Sequence, residues 1–422
     1  MQIINKIKNQ KSLVESFFSL SILNLLNVFL PLVTLPYILR IVGVANYGVY
    51  AFVYVFIQYL LIITSYGFNF SATKQIAQNR DNKDQLNIIY NSVIACRLLL
   101  LLGGVILFGA LSPLLLNTEN KRFMFIMGLG IVLGDTFNPV WLFQGMEKMR
   151  YMTIVNVLSK TVFTILIFLL IRKADDFPYI ILINSCGFLI AGLISTIITK
   201  TQFGIKFFPP QWDDIKFQFK DGFALFGSTV GTNLYSNANI FILNFFVSGT
   251  AVGLYAAAEK IIKGLQTLTS PVTQALFPHI GNDFHGQTTR YKLYKIKKIS
   301  KLLILILIIP NLMIFFGAHL LVKLFCGNGY EESALLLKIM SPVLIIGTLN
   351  YVLGVIGLVN LNQQKVFFHG VLIAGLASVL FLVFTVPYLG VKAASLGVPL
   401  SELVLFAIFI IKFIKINKEI DE

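Results

Sequence analysis

Charged side chains are scarce in this sequence. Only 13% of its 422 residues are charged, about half of the roughly 25% that is usual in a soluble domain. The chain also contains 38 phenylalanines, and 56% of its residues are hydrophobic. Such a chain has too little polar surface to face water, so lipid must supply the missing contact. The composition therefore indicates an integral membrane protein.

Cysteine and histidine are rare as well, and their spacing excludes several kinds of site. Cys96, Cys186 and Cys326 lie far apart in or beside apolar runs and form no CxxC pair, which predicts small core residues. The four histidines show no metal-ligand spacing. The HExxH, GxSxG and GxxxxGK[ST] motifs are also absent. We therefore expect no metal, no cofactor and no enzymatic activity.

Acidic residues are outnumbered, which leaves a formal net charge of +15. A basic chain can bind nucleic acid, but here the lysines and arginines lie in short loops between apolar runs. Basic loops of this kind are typical of the anionic cytoplasmic face of a membrane. We expect membrane lipid as a partner and no nucleic acid.

Apolar runs of about twenty residues or more fill most of the chain and predict an all-α protein with about twelve transmembrane helices. Helices follow because lipid cannot satisfy backbone polar groups, and each run is far longer than a barrel strand. The predicted spans are residues 13–39, 47–69, 88–112, 123–145, 150–171, 178–199, 221–247, 251–279, 300–322, 333–359, 366–387 and 390–412.

Twelve spans place both termini on one membrane face, and the positive-inside rule identifies that face. The face that carries the termini has 22 lysines and arginines, whereas the opposite face has 7. The asymmetry predicts that the N- and C-termini are cytoplasmic.

A short internal repeat divides the chain in two. Ala45–Ala51 opens the second span and Ala251–Ala256 opens the eighth, with Gly48 and Gly253 in equivalent positions. Both stretches run inward from the outer face, which predicts a parallel repeat with a pseudo-twofold axis along the membrane normal. We therefore expect two six-helix lobes, residues 1–200 and 221–422, joined by a cytoplasmic linker at 201–220. Such an architecture is typical of a transporter with its substrate between the lobes.

Ionised residues inside the spans are the strongest candidates for function, because each costs about 2.5–3.5 kcal/mol at the bilayer centre. Lys260 and Lys263 lie near the middle of the eighth span, on one helix face, next to Glu259. Two cations there would bind an anionic ligand such as a pyrophosphate. The alternative is an ion pair with Glu259 and one lysine that reaches the headgroups.

Other deep residues leave comparable alternatives. Lys160 either lines the cavity or pairs with Asp135, and Arg97 either lines the cavity or reaches the headgroups. Glu402, alone in the last span, could bind and release a proton, or serve only as a hydrogen-bonded structural residue. Asp135, Glu259 and Glu402 are the candidates for coupling to a proton or sodium ion.

Amide side chains in the first helix of each predicted lobe are candidates for contact with sugar hydroxyls. They are Asn24, Asn27, Asn233 and Asn237. Amides also join helices to one another in lipid, so a structural role is the alternative.

Three stretches of the chain carry a resemblance to a known family: Leu35–Arg40 with Tyr47–Tyr50, Trp141–Met149, and Gly253–Lys260 with Pro271–Pro278. They resemble the polysaccharide-transporter branch of the multidrug/oligosaccharidyl-lipid/polysaccharide (MOP) exporter superfamily, in particular the O-antigen (Wzx-type) flippases. The resemblance implies a twelve-helix, two-lobed fold that moves undecaprenyl-pyrophosphate-linked oligosaccharide to the periplasmic side of a bacterial inner membrane. It also implies a cationic cavity, matched here by Lys260 and Lys263, and polysaccharide polymerase machinery as a partner.

Two other functions remain open at this stage. A multidrug or metabolite exporter would share the fold, and the preference for an anionic substrate rests on a small excess of deep basic residues. A membrane glycosyltransferase or polymerase would differ in class, but the predicted outer connections are too short to build its site.

Near the cytoplasmic face, Glu147, Lys148 and Arg150 are predicted to join or gate helices.

Overall fold

Every regular element in the described part of the chain is a helix. The computed structural model describes the backbone of residues 2–284 and 286–421, and the side chains of residues 30, 33–223, 225–227, 237–267, 280, 284 and 286–419. The protein is an all-α integral membrane protein, as the composition predicts.

Fourteen α-helices follow one another along the described chain, with a 3₁₀ turn at Ala174–Asp176 and a π-helix at Val352–Leu358. The α-helices are α1 Gln2–Ser65, α2 Phe68–Gln78, α3 Lys83–Leu115, α4 Glu119–Thr136, α5 Val140–Gly145, α6 Met149–Leu170, α7 Tyr179–Phe203, α8 Trp212–Phe246, α9 Gly249–Phe284, α10 Thr289–Cys326, α11 Ser333–Met340, α12 Val343–Tyr351, α13 Gln364–Leu389 and α14 Val391–Asp421.

Nine stretches of the described residues are long and apolar enough to cross a membrane. They are Val33–Gln78, Lys83–Leu115, Glu119–Gly145, Met149–Leu170, Tyr179–Phe203, Thr289–Cys326, Ser333–Leu358, Gln364–Leu389 and Val391–Glu419. These nine correspond to the second to sixth and the ninth to twelfth predicted spans. The first, seventh and eighth predicted spans include residues whose side chains lie outside the described part, so the total of twelve stays a prediction.

Breaks in and between the predicted spans follow from local backbone chemistry. Gly43 joins the two helical parts of α1 with a φ of 74°, a left-handed value that a side chain would disfavour. The fourth predicted span is divided between α4 and α5 because Pro139, which has no N–H to donate, follows Asn138. The tenth is divided at Pro342 and continues into the π-helix.

The described chain divides into two compact units. One contains Met1–Thr34 and Val53–Val230, and the other contains Leu35–Phe52 and Gly231–Glu422. The stretch that carries the first repeat motif thus belongs to the same unit as the second motif. The lobe boundaries predicted from the sequence stay a prediction.

The first unit has its core where α2, α3 and α5 meet. Trp141 and Tyr90 are fully buried there, with ring centroids 5.7 Å apart. Much of the predicted linker at 201–220 is helical, because α7 continues to Phe203 and α8 begins at Trp212. Asn91 on α3 donates a hydrogen bond to the carbonyl of Lys206 (2.8 Å) and accepts one from the Phe208 amide (3.2 Å).

The second unit has its core where α10, the π-helix and α14 meet. Phe409 of α14 and Ile356 of the π-helix are fully buried in it. Large apolar side chains remain exposed on the outside of the same helices, for example Leu305 and Phe316 on α10. Exposed apolar rows of this length are typical of helices that face lipid.

Candidate functional site

Lys260 is an exposed cation in a buried part of α9. Residues 252–259 and 261–262 are buried, whereas Lys260 is exposed. It follows Gly249, the first residue of α9, by eleven positions, or about 16 Å at a rise of about 1.5 Å per residue. That distance is near half of the roughly 30 Å hydrocarbon core. Among the described residues, Lys260 forms neither an ion pair nor a hydrogen bond.

Lys263 differs from Lys260 because an acidic residue balances its charge. Its Nζ lies 3.2 Å from Oε1 of Glu259, one helical turn earlier. Glu259 is buried and also accepts a hydrogen bond from the hydroxyl of Tyr255 at 3.2 Å. The structure thus contains the ion pair that the sequence offered as one alternative. Tyr255, which the sequence analysis missed, helps to hold the carboxylate.

Arg97 and Asp135 form an ion pair in the first unit. Arg97 on α3 is almost fully buried, and its Nη2 donates a hydrogen bond to Oδ2 of Asp135 on α4. Its Nη1 also donates to the carbonyl of Thr136 at 3.3 Å. The guanidinium therefore neutralises the acid and helps to satisfy the C-terminal carbonyls of α4. Lys160, the other candidate of this unit, is half-buried on α6.

Glu402 belongs to a polar cluster inside the second unit. The amide of Asn350 on α12 donates hydrogen bonds to Oε2 of Glu402 (2.6 Å) and to its backbone carbonyl (2.9 Å). Oδ1 of Asn350 is buried and has no hydrogen-bond partner among the described residues. Gln266 approaches from α9 and donates to the Val343 carbonyl at 3.4 Å. Gly347 lies between the two, since a Cβ there would be 3.1 Å from Nε2 of Gln266 and 3.7 Å from Glu402.

Asn350 and Gln266 were not among the residues predicted from the sequence to lie near Glu402. Asn350 is the one amide in the apolar run 333–359. The charged candidates were chosen because they interrupt apolar runs, and the same reasoning applied to amides would have identified Asn350. Of the four candidate asparagines, Asn237 is half-buried on α8. The side chains of Asn24, Asn27 and Asn233 lie outside the described residues.

The segment around Trp141 joins helices in the first unit. The guanidinium of Arg80 donates to Oε1 of Glu147 and to the carbonyl of Gly145, both at 2.7 Å. A Cβ on Gly145 would lie 2.6 Å from Ile76 of α2, so α5 and α2 pack in close contact.

Within the described part of the chain, no group of three His, Cys, Asp or Glu residues could hold a metal ion.

Comparison with known proteins agrees with the fold and with the resemblance. A family model described as "Polysaccharide biosynthesis protein" matches residues 13–282. The "Putative O-antigen transporter" of Escherichia coli (strain K12) is 32% identical over 89% of this chain and 90% of its own length. The relative of the same name from Shigella dysenteriae is 24% identical over 92% of this chain and 96% of its own length.

Two solved structures share the fold at low sequence identity. "Lipid II flippase MurJ, inward closed conformation" has a TM-score of 0.75 at 14% identity, covering 94% of this chain and 87% of that one. An inward-facing multidrug resistance MATE family transporter of the MOP superfamily has a TM-score of 0.67 at 15% identity, covering 96% and 99%. The family model and the relative from Escherichia coli show that the chain belongs to the polysaccharide biosynthesis protein family, and together with the nine apolar stretches of the described residues they identify it as a multi-pass membrane transporter.

Proposed function

We propose that the protein is a flippase that moves undecaprenyl-pyrophosphate-linked O-antigen, or a related oligosaccharide, from the cytoplasmic to the periplasmic leaflet of a bacterial inner membrane. Transport proceeds by alternating access, with the sugar-diphosphate head inside the protein and the lipid tail in the bilayer. The termini are cytoplasmic, no covalent chemistry takes place on the protein, and the product passes to polysaccharide polymerase machinery.

The charge of Lys260, which is exposed and forms no ion pair with any described residue, is the observation that carries this proposal. A lysine within a span usually faces the bundle interior or a water-filled cavity. Glu259 balances the charge of Lys263, whereas no acidic side chain among the described residues forms an ion pair with Lys260, so Lys260 is offered to an anionic ligand. Ammonium–phosphate contacts are among the stronger charge-assisted hydrogen bonds. Lys260 is therefore assigned to the pyrophosphate, and Lys263 has the smaller part.

The remaining predicted residues have supporting parts. Arg97 forms an ion pair with Asp135, so its role is to stabilise the first unit. Lys160 is the residue of the first unit that is proposed to contact the substrate. Glu402 is assigned to coupling, because its carboxylate and Oδ1 of Asn350, which has no hydrogen-bond partner in the described part of the chain, are oxygen ligands that suit a proton or a hard cation such as sodium. Asn24, Asn27, Asn233 and Asn237 are assigned to the sugar.

The test uses a bacterial strain that lacks its own flippase but still makes the lipid-linked oligosaccharide. The strain receives the native chain, Lys260→Gln, Lys260→Arg or Lys392→Gln. Lys392 is a matched control, an exposed lysine in the first turn of α14. The readouts are the pool of unpolymerised intermediate in the inner membrane and the amount of periplasmic polymer, at equal levels of each variant.

We expect the native chain and Lys392→Gln to clear the pool, Lys260→Gln to leave it in place, and Lys260→Arg to clear it in part because the charge remains. If Lys260→Gln equals the native chain, the assignment of the site is wrong although the function stands. If the native chain changes nothing, the flippase proposal is wrong, and export of small cationic drugs becomes the function to test.

A further inference from the structure

A groove in the second unit lies between α10, α12, the π-helix and α14. Its volume is about 560 Å³, within the range of roughly 300–1,000 Å³ usual for ligand pockets. Six residues of α10 line it between Leu293 and Ile304, and six residues of α14 line it between Phe406 and Lys418. In each helix these residues recur three and four positions apart, so each helix presents one continuous face to the groove.

The floor of the groove is apolar and its long edge is open. Ile296, Leu349 and Leu353 are buried beneath it, whereas Ile304 and Ile414 at the edge are exposed. In a membrane helix, exposed apolar residues at such an edge meet lipid. A hydrocarbon chain can therefore enter the groove from the bilayer without crossing water.

One end of the groove is cationic. Lys297 and Lys301 of α10 and Lys418 of α14 are exposed and line that end. None of the described residues that line the groove is acidic. The hydroxyl of Ser300, between the two lysines of α10, is buried and has no hydrogen-bond partner among the described residues. The groove thus offers three positive charges and one free hydroxyl beside an apolar trough.

We propose that this groove binds an anionic phospholipid of the bilayer, with one acyl chain in the trough and the phosphate against the three lysines. The charge pattern favours this occupant, because basic pockets between transmembrane helices on the cytoplasmic side bind anionic headgroups. Both helix ends belong to the face that the positive-inside rule predicts to be cytoplasmic. The volume suits a single acyl chain better than a polyprenyl chain, which is several times larger.

The experiment compares two lipids that differ only in the headgroup. Full-length protein is placed in vesicles of zwitterionic lipid that contain phosphatidylglycerol or phosphatidylcholine with a photoactivatable diazirine in one acyl chain, at equal mole fraction. Mass spectrometry then maps the crosslinks. We expect the phosphatidylglycerol probe to label Ile304, Phe406 and Ile410 at least about fivefold more than the phosphatidylcholine probe. One lysine near an anionic surface contributes a factor of about that size.

Two triple variants remove the same number of charges from the same two helices. Lys297→Gln/Lys301→Gln/Lys418→Gln changes the groove, whereas Lys298→Gln/Lys412→Gln/Lys415→Gln changes lysines that do not line it. We expect the first triple variant to abolish the preference for phosphatidylglycerol and the second to retain it. Equal labelling of exposed Ile106 on α3 by the phosphatidylcholine probe shows that each variant is folded.

Three outcomes would overturn the proposal. The first is equal labelling of the groove by both probes in the native protein. The second is an equal loss of preference in both triple variants, which would reflect diffuse surface charge. The third is displacement of the probe by unlabelled undecaprenyl phosphate at lower mole fractions than unlabelled phosphatidylglycerol, which would identify a polyprenyl carrier as the occupant. None of these measurements depends on transport, so the proposed flippase function is tested separately.

Discussion

Gly48 and Gly253 pack against each other's helices in a reciprocal contact. A Cβ on Gly48 would lie 1.9 Å from the carbonyl oxygen of Gly249, and a Cβ on Gly253 would lie 2.0 Å from the carbonyl oxygen of Val44. Gly249 precedes Gly253 by four residues, as Val44 precedes Gly48. The Cβ position of each glycine therefore faces the backbone carbonyl of the residue that lies one helical turn before the other glycine. A pseudo-twofold axis between the two repeat motifs would produce this reciprocal arrangement.

Alanine at either glycine should force the two helices apart. Overpacking of this kind usually costs about 1–3 kcal/mol. We expect Gly48→Ala and Gly253→Ala each to lower the unfolding temperature of the purified protein in detergent by several degrees. Because both variants disturb one contact, the double variant should lose less than the sum of the two single losses.

The matched control for this contact is Gly109→Ala in α3. Gly109 also lies within an apolar helix, but a Cβ there meets no atom within 4 Å. Alanine has the higher helix propensity, by about 1 kcal/mol, so this variant should be neutral or slightly stabilised. An unfolding temperature of Gly48→Ala equal to that of Gly109→Ala would contradict the close contact.

The sequence predicted the class of fold and the deep charged residues because both depend on local hydropathy. The run around Lys260 and the run around Glu402 each stand out as an apolar segment interrupted by an ionised residue. The Glu259–Lys263 pair was open to prediction too, since residues four apart on a helix are neighbours.

Ion pairs and hydrogen bonds between side chains of different helices could not be predicted from the sequence, because they depend on which helices pack next to each other. Asp135 was considered as a partner of Lys160, and the structure pairs it with Arg97 from α3. Asn350 reaches Glu402 across 52 positions of sequence for the same reason.

The Arg97–Asp135 pair should be more important to stability than a surface pair. Loss of one partner from a buried pair usually costs about 3–5 kcal/mol, because the other charge stays buried without compensation. We expect Asp135→Asn to lower the unfolding temperature strongly, and Arg97→Met/Asp135→Leu to recover much of the loss. The control is Asp213→Asn, which breaks the exposed pair with Lys216 and should have almost no effect. Equal losses in Asp135→Asn and Asp213→Asn would rule out a structural role for the buried pair.

Glu402 should matter for coupling more than for folding. Glu402→Gln keeps an oxygen that can accept the hydrogen bond from Asn350, but it removes the charge. We expect this variant to retain its unfolding temperature and to lose the dependence of transport on the ion gradient. The measurement is flipping of a fluorescent lipid-linked oligosaccharide in proteoliposomes with an imposed proton or sodium gradient. Gradient dependence equal to that of the native protein would exclude Glu402 as the coupling residue.

Asn350→Leu is the contrasting variant, since it leaves the half-buried carboxylate of Glu402 without its amide partner and should lower the stability of the protein.

The sharpest distinction between the two neighbouring lysines comes from a charge-neutral double variant. Glu259→Gln/Lys263→Gln removes the 3.2 Å ion pair and leaves the net charge of the site and Lys260 unchanged. Because Lys260 is assigned the main contact with the pyrophosphate and Lys263 a smaller part, this variant should transport at close to the native rate in the strain that lacks a flippase. Lys260→Gln, which removes a single charge with no partner among the described residues, should transport at least about tenfold more slowly, because a charge-assisted hydrogen bond contributes roughly 1.5–3 kcal/mol. Lys263→Gln alone should fall between the two, because it strands the buried carboxylate of Glu259 beside Lys260. Equal loss of transport in the double variant and in Lys260→Gln, at equal protein levels, would show that Lys263 contributes as much to substrate binding as Lys260 and would contradict the assignment.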